Sequence, residues 1–162
     1  SKEIRPVKPL LIKGKEVQSL VDLYAILLTC GWRENSRSAT KTAPEWNEDA
    51  PWEYQSAPTA LLVQQYFGGD ICSRDCLNRT HYFNEIDGVV IDLTFLEIFQ
   101  MANTSPYDSA KIKNLGRPKQ TMINNVVLLN HLLCNCGTDD RVCAPKTKRN
   151  KRPTPKRRSS AR

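Results

Sequence analysis

The sequence predicts an α+β fold in which a helix carrying a candidate nucleophile packs on a small antiparallel sheet. Three observations predict it. Residues 16–30, EVQSLVDLYAILLTC, set Val17, Leu20, Val21, Tyr24, Leu27 and Leu28 at helical spacing. Residues 57–67 form a second apolar stretch, opened by a hydroxyl at Ser56 and closed by Gly68 and Gly69. The run HYFNEIDGVVIDLT has two strand-like halves around Asp87-Gly88, the best short hairpin signal in the chain.

The 162 residues suffice for one domain with a real core, and the 40% hydrophobic content is ordinary for a globular protein. No apolar run approaches the length that spans a bilayer, so no membrane span is expected. The first residues, SKEIRPVKPLLIKG, hold no signal-peptide core. The net charge of +7 is unevenly spread. Residues 146–162 carry nine Lys/Arg and no acid, which leaves residues 1–145 at a net −2. The expected organisation is a near-neutral domain over 1–145 and a basic, compositionally disordered tail over 146–162. A domain-wide footprint for nucleic acid is excluded.

Each element has its own warrant. Residues 1–14 read as an extended lead-in punctuated by Pro6, Pro9 and Gly14. The first helix stops at Gly31. Residues 32–55 hold three tryptophans, so this loop should pack onto the body rather than act as a linker. Ser56 suits an N-cap and Pro58 the first turn of the second helix. Residues 70–78 read as a connection holding two cysteines, 95–101 as a short helix, and TMINNVVLLNHLLCNCG as a last helix ending at Gly137.

The hairpin brings chemistry together. With Asp87-Gly88 as a two-residue turn, Ile86 pairs with Val89, Phe83 faces Asp92, and His81 faces Thr94. His81, Phe83, Asp92 and Thr94 then share one face, with His81 and Asp92 as diagonal neighbours. A carboxylate beside an imidazole fixes its tautomer and supports its charged form. Position 56, at a helix start, lies at the positive end of the helix dipole, which favours a thiolate and an adjacent oxyanion. Gln55 and the first-turn N–H groups, Ala57 among them, are candidate oxyanion donors. The plain alternative for Ser56 is an N-cap, and for Asp92 a cap on the turn at Thr94.

The order of nucleophile, histidine and acid is that of papain-like and transglutaminase-like thiol enzymes. The stretch EWNEDAPWEYQSAPTALLVQQYFGG, followed by HYFN and IDLT, resembles the small bacterial YunG-like family over roughly residues 16–100. The resemblance implies a compact papain-like (transglutaminase-like) fold with a Cys-His-Asp triad. Ser56 stands at the cysteine position, His81 at the histidine and Asp92 at the acid. Gln55 and Asn84 match as neighbours, and Tyr54 replaces a glycine. Trp52 is a candidate wall of the cleft. The implied activity is a thiol hydrolase acting on an amide or isopeptide bond of a protein or peptide, with peptidase, deamidase and acyl transfer not separable. Ser56 would disarm it, as a Cys→Ser replacement or as a native serine. The alternative is a non-catalytic interaction module.

Six cysteines remain to be read. A reducing compartment and free thiols are the leading expectation. A structural zinc on Cys72, Cys76, Cys134 and Cys136 is the alternative, and no other cofactor is expected. The motif KRNKRPTPKRR resembles an import signal, so the expected location is cytoplasmic or, through the tail, nuclear. The tail's partners would be nucleic acid or an import receptor.

Overall fold

A computed structural model describes residues 3–12, 14–39, 41–76, 79–99, 107–108 and 112–135. The basic tail over 146–162 lies outside the described residues, as does the end of the last helix at Gly137. The chain is mixed α+β. A two-residue ladder, β1 (Leu11–Ile12) with β2 (Lys15–Glu16), precedes α1 (Leu20–Ile26). The second helix is α2 (Ser56–Phe67), followed by strands β3 (Asp70–Cys76), β4 (Arg79–Ile86) and β5 (Val89–Ile91). Then come a one-turn helix α3 (Phe95–Phe99), a short β6 (Lys113–Asn114) and α4 (Gln120–Asn135). The main sheet has the order β5-β4-β3-β6 with antiparallel neighbours throughout.

Alternation along the strands sorts their side chains to two faces. On one face Ile71, Tyr82 and Ile86 join the main core with Leu62, Val63 and Phe67 of α2 and Leu129 and Leu133 of α4. The Asn84 side chain belongs to this face, where its Nδ2 donates to the Ala60 carbonyl of α2 at 2.8 Å. His81 and Phe83, which alternate with Tyr82 and Asn84, point to the opposite face. So does Arg74, which pairs with His81 in the ladder.

Several boundaries differ from expectation. The first helix starts at Leu20, because the Ser19 hydroxyl caps the Asp22 N–H at 3.1 Å, while Lys15 and Glu16 pair with β1. It then widens into a π turn over Leu27–Gly31. The segment read as a cysteine-bearing connection is the strand β3, central in the sheet. Its sequence, DICSRDC, hides the alternation because Ser73, Arg74 and Asp75 interrupt the apolar pattern. The tryptophan loop does pack onto the body. Trp32 is fully buried and donates from Nε1 to Thr59 Oγ1 at 2.8 Å, and Trp52 packs half-buried against the core. Cys30 is disulfide-bonded, against the all-thiol expectation, whereas Cys72, Cys76 and Cys134 are free.

Candidate functional site

The hairpin sets the geometry. Asp87 and Gly88 both have positive φ, 51° and 75°, as a two-residue turn matched to strand twist requires. The register is Ile86 with Val89, Glu85 with Val90 and Asn84 with Ile91. Asp92 therefore emerges beside Phe83, one diagonal step from His81. The contact forms: His81 Nε2 lies 2.7 Å from Asp92 Oδ2, with the two side chains 1% and 3% exposed.

Asp92 is also held from other directions. Its Oδ1 accepts from the Thr94 N–H at 3.0 Å and the Thr94 hydroxyl at 3.1 Å, and its Oδ2 accepts from the Tyr107 hydroxyl at 2.8 Å. The turn cap and the histidine partner are thus one carboxylate, with one oxygen for each task. Burial and the Asp92 charge push the Tyr107 hydroxyl up, so it stays a donor.

A second carboxylate completes the imidazole's surroundings. His81 Nδ1 lies 3.5 Å from Glu97 Oε1, and Glu97 Oε2 accepts the Tyr54 N–H. Arg79 stands 4.0 Å from both Glu97 and Glu53, and its guanidinium covers the Tyr54 ring at 4.2 Å. Burial alone pulls the imidazole down. The hydrogen bonds and charges of Asp92 and Glu97 outweigh it, and the His81 pKa is raised to about 9. At neutral pH the ring is an imidazolium between two carboxylates.

Position 56 lies nearby but is differently engaged. Ser56 is the first residue of α2 rather than its cap; Gln55 takes the cap position without a side-chain cap bond. The buried Ser56 hydroxyl accepts the Tyr82 N–H at 3.3 Å. That amide is the peptide joining His81 to Tyr82, so the hydroxyl sits against the histidine's own backbone. Both imidazole nitrogens are taken by carboxylates, not by Ser56. Gln55 is fully buried and clamped, its Oε1 accepting from Ser36 Oγ and its Nε2 donating to the Arg33 carbonyl, each at 2.9 Å. Tyr54 sits at φ 60°, in the left-handed region where a residue other than glycine is strained. Ala57 is buried in the first turn of α2, and Asn84 is on the opposite face of β4 from His81. The Trp52 indole N–H is buried with no hydrogen-bond partner among the described residues.

The structure thus joins His81 to Asp92 and sets Ser56 against the same strand. It does not bring Asn84 to that cluster. Sequence reasoning missed Glu97, Tyr107, Arg79 and Arg74. The signal for Glu97 was a lone acid in an otherwise apolar FLEIF turn. Cys72 and Cys76 lie on β3, on the face away from α2 and α4, while Cys134 is exposed on α4, and Cys136 lies outside the described residues. Among the described residues no cluster of His, Cys, Asp or Glu could hold a metal ion. Burial, with Glu85 and Asp70 nearby, pushes the Cys72 thiol up, away from a ligand thiolate.

The protein family described as YunG protein matches residues 19–133, a span that contains α1, α2, the β3–β5 sheet and most of α4. The chain belongs to the YunG family. The Bacillus subtilis (strain 168) member, "Uncharacterized protein YunG", is 35% identical over 68 residues, 42% of this chain and 54% of that protein. The match therefore spans about half the length of that curated relative. No solved structure matches the chain. In this YunG-family chain no helix among the described residues is long and apolar enough to cross a membrane.

Proposed function

We propose that this YunG-family scaffold is built for thiol chemistry of the papain-like kind on an amide or isopeptide bond of a protein or peptide, and that Ser56 leaves this chain catalytically silent. The observation that carries the reading is the 2.7 Å contact of His81 Nε2 with Asp92 Oδ2, next to the first turn of α2. A raised imidazole is a poor base for a hydroxyl, since at neutral pH it already holds its proton. It is a good counter-ion for a thiolate. The charge of the site therefore suits cysteine at position 56 and does not suit serine.

With a thiolate there, sulfur attacks the carbonyl carbon. The oxyanion meets the helix-start amides of Ser56 and Ala57, because Pro58 has no N–H and the Gln55 side chain is clamped between Ser36 and the Arg33 carbonyl. The imidazolium gives its proton to the amine nitrogen as the C–N bond breaks. The neutral imidazole then takes a proton from water, whose oxygen displaces the sulfur from the thioester. Thiolate and imidazolium are restored. With an amine as acceptor in place of water, the same steps give acyl transfer.

The test is Ser56→Cys in the full chain, with iodoacetamide labelling at position 56 followed by peptide mass across pH. The expected result is a thiol that titrates well below about 8.5 and moves up when His81→Gln is added. A thiol titrating at or above that value, with or without His81, overturns the enzyme reading. Ser56 itself then favours the interaction module, with the basic segment 146–162 as the contact for nucleic acid or an import receptor.

A further inference from the structure

Glu97 does more than fill space. Its side chain is 4% exposed, and it joins three segments far apart in sequence. One oxygen faces His81 Nδ1, the other accepts the Tyr54 N–H, and Arg79 flanks the carboxylate. Tyr54 is two residues before position 56 and holds a left-handed backbone that nothing in its own side chain favours. The same carboxylate thus fixes the strand that bears the imidazole and the loop that delivers α2.

We propose that Glu97 is the positioning residue of this site: it sets the spacing between the segment leading to position 56 and His81, and it holds His81 charged together with Asp92. The proposal deepens the functional reading above and rests on it for its relevance to chemistry. On the side of the ring away from Asp92, Nδ1 faces the same carboxylate that accepts the Tyr54 N–H. Among the described residues, the charged and titratable groups around the ring come from several elements. Asp92 follows β5, Glu97 comes from α3, Arg79 from the start of β4, Arg74 from β3 opposite His81, and the Tyr107 phenol sits on Asp92. Of these, Asp92 and Glu97 raise the His81 pKa against the lowering effect of burial.

The experiment follows the two histidine ring signals by NMR across pH, with His131→Gln identifying His81. In the unaltered protein the His81 midpoint is expected to lie at least one pH unit above an ordinary histidine; a midpoint at or below about 6.5 overturns the proposal without any variant. In Glu97→Gln, which keeps an acceptor for Tyr54 but removes the charge, the midpoint should fall by one unit or more. An unchanged midpoint means that Glu97 is structural only. Glu97→Asp keeps the charge but is too short to reach both partners. Added to Ser56→Cys, it should slow labelling at position 56 at least tenfold while His81 stays raised; unchanged labelling overturns the spacing role. If Ser56→Cys alone gives an ordinary thiol while Glu97→Gln still shifts His81, the enzyme reading fails and the electrostatic coupling stands.

Discussion

At the scale of single residues, Asp92 is the most heavily committed group. It accepts four hydrogen bonds, from His81, Tyr107 and two from Thr94. An asparagine there could keep the Thr94 bonds through its oxygen, but its NH2 would then face the imidazolium. Asp92→Asn is expected to destabilise the fold by roughly 3–5 kcal/mol, because it leaves a buried cation short of one partner. Urea unfolding at pH 7 measures this. A change below about 1 kcal/mol would show that the pair is not charged in solution. The His81–Asp92 contact was legible from the sequence because a two-residue turn leaves one register only. Glu97 was not legible, since its partners lie 16 and 43 residues away and no local pattern encodes them.

At the scale of elements, the junction of α2 with the sheet depends on Gly69. A Cβ on that residue, which has φ +77°, would sit 2.4 Å from the Glu85 carbonyl oxygen and 2.8 Å from Ile86. Gly88, in the hairpin turn, has φ +75° and no neighbour within 4 Å. The two positions share the backbone strain and differ in the clash. Gly88→Ala is expected to cost about 1–2 kcal/mol and Gly69→Ala clearly more, with the difference read from paired thermal melts. Equal losses would mean that the helix–strand junction yields easily. The same contrast explains what the sequence revealed of the elements. Asp87-Gly88 is a local signal and gave the hairpin, whereas β3 is polar in sequence and becomes a strand through pairing with β4 and β6. Tertiary pairing overrides weak local preference there.

At the scale of the whole molecule, the buried imidazolium ties stability to pH. The folded-state pKa of about 9 lies above the unfolded value of 6.5. Its contribution is therefore complete below pH 6.5 and is lost as pH rises through 9, a change of roughly 3 kcal/mol. Denaturant midpoints taken from pH 6 to 10 should fall for the unaltered chain and stay flatter for His81→Gln. Parallel curves would show that His81 does not titrate in this range. The α+β class, the helix bearing position 56 and the hairpin were all legible in advance. The disulfide at Cys30 was not, because spacing alone cannot choose among six cysteines.

The imidazole is satisfied on both sides by carboxylates rather than by position 56, so its charge and orientation are set by the scaffold and not by the residue that starts α2.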